Sequence, residues 1–585
     1  MKSLLFCASQ LLVSIVLFGQ TGTGKVALNQ IGFYPLAPKV AVVTGVLHPS
    51  AFYIISENGG DTVFTGQLSG EIKSSNSSLT TRVADFSALQ KEGIYTLMVP
   101  STARSYPFLI SANACHTVAI GALKGYYFQR SDLALDEKCA GKWKRMAGHA
   151  DNVVEIHPSA AGPKRTAGST ISSAGGWYDA GDYNKYVVNS GITMGTLLSA
   201  YEDFSSYFDS AKTNIPESAD AVPDILNEIV YNLRWMLTMQ DPDDGGVYNK
   251  CTNAGFDGMV MPGVTKLPRY VVQKGVAATL DFAAVAAQAS RVLSKFRQQF
   301  PALSDSCIKA AEKAWSWSLL HPNLEYNQDS INKIYEPKIT TGGYGDKQFD
   351  DEWFWAAAEL YITTGSSKYM QPLKGSWTNQ LYTPSWGRLG TLGIYSLIRF
   401  QKKLPALARN IDSIKPALVV YADNWLLKEE QNAFKTVMGQ SPRDFVWGSN
   451  AVAANQGILL IQAYLITGQN KYLNGALSNL DYLLGRNATG FCFVTGFGSK
   501  SPMHPHHRQS VADGIDEPVP GLLAGGPNPG KQDGCKYEFS EPETTYVDLD
   551  CSYASNEIAI NWNAPLVYLA NGIEALQYRG GFSRK

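Results

Sequence analysis

The sequence predicts a molecule in two parts, a small β-sandwich followed by a large helical barrel. Three observations predict it. The chain has 585 residues, more than the roughly 100–200 of a single domain. Its pattern changes near residue 113, from short extended runs to long segments rich in Ala and Leu. Several of those segments are apolar nearly all round, as expected of helices enclosed by other helices.

The first element in chain order is MKSLLFCASQLLVSIVLFGQTGTG, with Lys2, an apolar run to Phe18, and then small or polar residues. That is the pattern of a secretory signal peptide, placed at 1–20; the alternative is an N-terminal anchor, for which the run is short. Cys7 lies too early in the run to be a lipidation cysteine at its end. No later stretch reaches the ~18 uninterrupted apolar residues of a spanning helix, so a secreted, soluble mature chain is expected, extracellular or periplasmic. Residues 25–112 hold the runs KVAVVTG (39–45), AFYIIS (51–56), TVFTGQL (62–68) and IYTLMV (94–99), divided by Gly, Pro, Asn and Ser, which is sandwich spacing.

Residues 113–580 carry the helical pattern, in segments 221–240, 275–296, 350–365, 455–468 and 556–576. Glycine and proline gather between them, in GGVYNK, TKLPRY, TGGYGD and PVPGLLAGGPNPG. Long loops of this kind at one end of a barrel are expected to be functional. No internal repeat of fixed period is present.

Composition removes several function classes. A formal net charge of -1, without a run of five or six like charges, offers no attraction to nucleic acid or an anionic membrane. Aromatics reach 11% against 17% charged residues, including 12 Trp and 30 Tyr; most belong to the core, and the rest can stack on sugar rings. Besides Cys7 there are seven cysteines, Cys115, Cys139, Cys251, Cys307, Cys492, Cys535 and Cys551. An odd count without a CxxC pair indicates neither a disulfide scaffold nor a zinc ribbon, and leaves a free thiol.

The stretch GGWYDAGDYNKYVV (175–188) sets Asp179 and Asp182 three positions apart. If it opens a helix, both carboxylates share one side, where they could hold a water and stay ionised in the helix dipole. Taken alone, an N-cap and a turn residue is the stronger reading. YVDLDCSYASNEIAINWNAP (546–565) places Glu557 before an apolar helix, among Tyr546, Tyr553 and Trp562, surroundings that raise a carboxyl pKa. A first-turn Glu complementing the helix dipole is its plainer reading. SPMHPHHRQS (501–510) adds His504, His506, His507 and Arg508. Its prolines and adjacent histidines suit a sugar site better than zinc.

Together, in this order and at these separations, WYDAGDYNKY, PHHRQS and YVDLDCSYASNEIAINWNAP resemble glycoside hydrolase family 9, the inverting cellulases. LNQIGFYPLAPKVAVV (28–43) is similar to the start of the immunoglobulin-like module that precedes many of their catalytic domains. The resemblance implies an immunoglobulin-like sandwich and an (α/α)6 barrel. It also implies hydrolysis of β-1,4-glucan of cellulose type by inverting acid/base chemistry, endo-acting, with an exo-acting relative that releases cellobiose or glucosamine as the alternative. A non-catalytic glycan-binding protein is the rival from another class. The resemblance casts Asp182 as general base, Asp179 as its aid in holding water, and Glu557 as general acid. His506, Arg508, Asp548, Tyr553, Trp562 and Trp447 fall to the substrate.

Departures from the family pattern matter as well. Ser131, Arg145 and Gly148 stand where zinc-binding relatives have Cys, His and Cys; His149 and His157 cannot complete that site, so zinc is not expected. Asn249 stands where relatives often have a substrate-facing His. KQFDDEWFW resembles the family's calcium loop, with Asp351 and Glu352 as side-chain ligands and the carbonyls of Lys347 and Gln348 beside them. Gly387 sits where a further aspartate would be, and an acidic helix start is the alternative. DPDDGG (241–246) reads as a turn. No organic cofactor is required.

Overall fold

The structure is a computed structural model that describes residues 24–46, 48, 50–100 and 102–584. The signal-peptide pattern and Cys7 lie outside the described residues.

Ten strands build the N-terminal sandwich: β1 (Lys25–Ala27), β2 (Gly32–Phe33), β3 (Val40–Thr44), β4 (Ala51–Ser56), β5 (Thr62–Gln67), β6 (Ile72–Lys73), β7 (Thr80–Asp85), β8 (Gly93–Val99), β9 (Ala103–Arg104) and β10 (Phe108–Ile110). One sheet runs β1-β3-β7-β6, the other β2-β10-β8-β4-β5 with β9 on β8. In AFYIIS, read as an extended run, Phe52 and Ile54 are buried, while their neighbours are only partly covered. Phe33, Phe86 and Phe108 fill the centre, with ring centroids 5.3 to 5.4 Å apart. The sandwich is fastened to the second unit by Gln30 N–H to Leu484 O (3.0 Å), Leu36 N–H to Phe582 O (2.9 Å) and Asn29 to Asp481 (2.8 Å).

The second unit holds eleven helices of ten or more residues among the described residues. They are α1 (His116–Phe128), α2 (Val187–Phe208), α3 (Asp224–Thr238), α4 (Val276–Leu293), α5 (Leu303–Leu320), α6 (Asp350–Thr364), α7 (Gly390–Arg399), α8 (Ala408–Glu429), α9 (Ser449–Thr467), α10 (Asn470–Leu483) and α11 (Ile560–Leu576). Six form an inner ring: α2 packs on α4, α4 on α6, α6 on α7, α9 on α11, and α11 returns to α2. Their sequences explain the placing, since α4 buries all but one of its 18 residues. The outer layer is α1, α3, α5, α8 and α10; between α6 and α7 its place is taken by short turns at Ser367–Tyr369 and Thr378–Gln380.

A third sheet was not expected from the sequence. It pairs β11 (Val154–Ile156), β12 (Thr170–Ile171), β13 (Lys185–Tyr186), β14 (Lys250–Asn253) and β15 (Arg269–Val271) in the order β12-β11-β15-β14-β13. Its strands are short, and β14, KCTN, is wholly buried although mostly polar, so no hydrophobic alternation announces it.

Candidate active site

The segments that enter the inner helices carry the chemistry. Asp179 and Asp182 precede α2, Tyr344 precedes α6, Trp386 precedes α7, Trp447 precedes α9, and Glu557 precedes α11. All of them line one cavity of about 890 Å³, with Tyr186, Phe256, His506, Arg508, Tyr553 and Trp562.

Three motifs far apart in sequence are joined here by main chain. Ala180 pairs with Ala559, and Ile560 N–H donates to Asp179 O at 2.8 Å. His506 pairs with Glu557, and Arg508 N–H donates to Gly181 O at 3.1 Å. A Cβ on Gly181 would lie 2.0 Å from His506 O, so only glycine fits between the two aspartates. This lacing corrects the helical reading of Asp179 and Asp182. The helix begins only at Val187, the DAGD backbone bonds across to other segments, and no helix dipole keeps the pair ionised.

The two aspartates are held by different donors. Asp179 accepts from Asn189 Nδ2 (2.6 Å) and Tyr344 O–H (2.8 Å). Asp182 Oδ2 accepts from Asn184 Nδ2 and from Tyr186 O–H (3.1 Å). Burial raises the Asp179 pKa well above the usual carboxyl range, and the charge of Asp182 adds to this; Asn189 and Tyr344 oppose it. Glu557 is raised well above its usual value by burial and then by the charges of Asp182 and Asp179, with Arg508 opposing. The residue is partly exposed and lines the cavity. Glu557 sits in extended backbone just after the short helix Tyr553–Asn556, not in the first turn of α11.

His506 turns Nδ1 to Asp550 O at 2.6 Å and lines the cavity, and burial lowers its pKa. Arg508 is pinned by Asp257 O (2.9 Å) and Gly181 O (2.8 Å), with its guanidinium 5.6 Å from the Phe256 ring. Trp447 and Tyr553 lie 5.4 Å apart with rings inclined by 36°. Trp447 is 43% exposed, Val446 43% and Phe256 50%, an open apolar rim suited to sugar faces.

Asp548 is placed outside the cavity lining. Its carboxylate accepts from the backbone of Met503 (2.8 Å) and His504 (2.9 Å) and from Asn556 (3.0 Å), tying the histidine loop to the Glu557 loop. Asn249 is buried and donates to Gly343 O (3.2 Å). Cys535 and Cys551 form a disulfide, which the spacing did not suggest, because it spans 16 residues across a loop rather than a CxxC turn. Cys115, Cys139, Cys251, Cys307 and Cys492 are free and buried.

Asp351 and Glu352 start α6 away from this cavity. Asp351 Oδ2 accepts from Leu389 N–H (2.5 Å) and Tyr382 O–H (3.2 Å), whereas neither oxygen of Glu352 meets a donor. Asp281 on α4, whose two oxygens are also unpartnered, and Asp346 raise the negative charge there. Hard, uncompensated oxygens fit calcium in charge. Among the described residues, however, no three acidic, His or Cys side chains converge into a metal cage.

Asn184, Tyr186, Asn189 and Tyr344 were not picked out from the sequence. Two of them stand inside the WYDAGDYNKY motif, and Tyr344 lies in the Gly-rich TGGYGD loop.

Paired aspartates and a glutamate whose pKa is raised by burial, together in an open cavity rimmed by rings, define a glycoside hydrolase site. The chain belongs to glycosyl hydrolase family 9: the family model with that description matches residues 117–570, and one described as the cellulase N-terminal ig-like domain matches residues 21–104. The barrel is accordingly the (α/α)6 fold and the sandwich is immunoglobulin-like. The chain is 49% identical over 555 residues to a xyloglucan-specific endo-β-1,4-glucanase of Bacteroides ovatus, covering 94% of each chain. It is 33% identical to endoglucanase D of Acetivibrio thermocellus, over 94% of this chain and 83% of that one. The solved structure titled Bacteroides ovatus GH9 superposes with a TM-score of 0.89 at 48% identity, covering 94% of this chain and 99% of that one.

Proposed function

We propose that this protein cleaves β-1,4-glucan chains internally by inverting hydrolysis, and that its preferred polymer is xyloglucan. The observation that carries the mechanism is the convergence of Asp179, Asp182 and Glu557 in one open cavity. Asp182, fixed by Asn184 and Tyr186, takes a proton from the attacking water. Asp179, fixed by Asn189 and Tyr344, helps to hold that water. Glu557, whose pKa is raised by burial and by two neighbouring charges, delivers a proton to the departing glycosidic oxygen. Attack and departure on opposite faces of the sugar invert the anomeric centre.

The choice of xyloglucan rests on the 49% identity to the Bacteroides ovatus relative; unbranched cellulose, the sequence expectation, is the second reading. Initial rates on xyloglucan, mixed-linkage glucan, glucomannan and carboxymethyl cellulose test it. Xyloglucan should be hydrolysed fastest, to a spread of long products. A faster rate on carboxymethyl cellulose would favour the second reading, and early release of cellobiose alone would make the enzyme exo-acting.

Export is part of the proposal, supported by the N-terminal pattern and by the Cys535–Cys551 disulfide. Asp351 and Glu352 are the residues that would hold calcium, and its role there would be structural, away from the catalytic cavity. Zinc has none: the guanidinium of Arg145 donates to the carbonyls of Leu133, Phe128 and Arg130 and to Gln509, cross-linking the stretch that a metal would otherwise organise.

A further inference from the structure

Lys250 is a cation buried in the polar sheet, with no exposed surface. Among the described residues no carboxylate lies within 4 Å of its ammonium. Its three protons go instead to Gln328 Oε1 (2.6 Å), Gly342 O (2.6 Å) and Thr341 Oγ1 (3.0 Å). An ammonium held by neutral oxygens alone is costly to bury, so its place in the molecule calls for a reason beyond packing.

That place is defined by the sheet. Lys250 on β14 is the register partner of Tyr186 on β13, and its ammonium lies 5.4 Å from the Tyr186 ring. The Thr341–Gly342 segment that it grips lines the catalytic cavity. Gly342 N–H then donates to the Tyr186 hydroxyl oxygen (3.1 Å), and Tyr186 O–H donates to Asp182 Oδ2 (3.1 Å). The path is continuous: ammonium, loop carbonyl, loop amide, phenol, carboxylate.

We propose that Lys250 is a positioning residue for the base, acting through the Thr341–Gly342 loop and Tyr186 to fix Asp182 and to supply a buried positive charge behind it. The inference rests on the reading of Asp182 as the base. Both parts follow from geometry. Donating to Gly342 O and, at 3.4 Å, to Thr341 O, the ammonium holds the peptides on both sides of Gly342, whose N–H bonds the Tyr186 hydroxyl that donates to Asp182. The charge acts over a longer range in a poorly screened interior. Burial pulls the Lys250 ammonium down to about 7, and the carboxylate that opposes this is Asp182, so each charge stabilises the other.

The test is a double-mutant cycle on xyloglucan hydrolysis with Lys250→Met and Tyr186→Phe. Lys250→Met should lower kcat by roughly ten- to a hundredfold, the scale of a misplaced catalytic group, with KM changed less than about twofold because no sugar contact is lost. The double variant should be little worse than the more damaged single, since both cut one path. A merely structural lysine would give independent losses that multiply, or a kcat that survives; either result overturns the proposal. Lys250→Gln, which keeps a donor for Gly342 O but no charge, should retain more activity than Lys250→Met. If neither Lys250 variant folds, Thr341→Val removes one acceptor of the ammonium and enters the same cycle. Asp182→Asn is measured alongside: full turnover there would remove the reading of the base itself, whereas an inactive Asp182→Asn beside a multiplicative cycle would sink only the role of Lys250.

Discussion

Two groups of buried acids stand in the same barrel and differ in how their charge is met. In the cavity, Asp179 and Asp182 each receive two side-chain donors, from Asn189 and Tyr344 and from Asn184 and Tyr186. At the start of α6, Glu352 and its neighbour Asp281 receive none, while Asp351 and Asp346 are met mainly by backbone amides. Burial raises Asp281 and Glu352 well above the usual range, with the neighbouring acids adding to it. The contrast teaches that burial alone does not make a carboxyl catalytic. In the cavity, fixed donors aim particular oxygens at a space large enough for a sugar; in the second group the oxygens are packed among helices, and only a cation or a proton can relieve them.

The largest expected effect is on the first group. Asp182→Asn should leave thermal unfolding nearly unchanged and lower turnover by about 10²- to 10⁴-fold, the usual contribution of a positioned base; wild-type-like turnover would remove the distinction between the groups. A smaller effect, on stability rather than rate, is expected of the second. Calcium should raise the Tm of the wild type, and Glu352→Gln should abolish that response. In chelator, Glu352→Gln should be more stable than the wild type by on the order of 1 kcal/mol, because an unpartnered buried charge is gone. No calcium response in the wild type would mean that protons alone neutralise the cluster. The smallest effect sharpens the role of the rim. Trp447→Ala should raise KM by roughly 2- to 10-fold, matching about 0.5–1.5 kcal/mol of ring stacking, with kcat nearly constant; a fall in kcat at unchanged KM would place Trp447 with the catalytic groups.

The same contrast explains what the sequence discloses. Period and composition mark the long strands of the sandwich and the enclosed helices, because burial there is apolar and leaves a pattern. The five-stranded sheet under the cavity is buried through polar contacts, such as Lys185 to Ser173 O (2.9 Å) and Arg269 to Asp151, and leaves none. Asp179, Asp182 and Glu557 were legible through motifs, yet their placement outside the helices was not, since Gly181 and the pairing of Ala180 with the distant Ala559 decide it. Asn184 and Tyr186 sit in the quoted motif, but their partnership with Asp182 depends on a turn and a strand that local propensity does not specify. Asp548 shows the limit from the other side: a motif carboxylate whose task is to hold the main chain of Met503 and His504.

The central claim is that Glu557 delivers a proton while Asp182 receives one, and leaving-group dependence in Glu557→Gln tests it most directly. The variant should bind polymer as the wild type does, lose most of its rate on unactivated β-glucan, and lose far less on an aryl β-glycoside whose leaving group needs little protonation. Equal losses on both substrates, together with weakened polymer binding, would contradict the account and make Glu557 a holder of sugar or backbone rather than the acid.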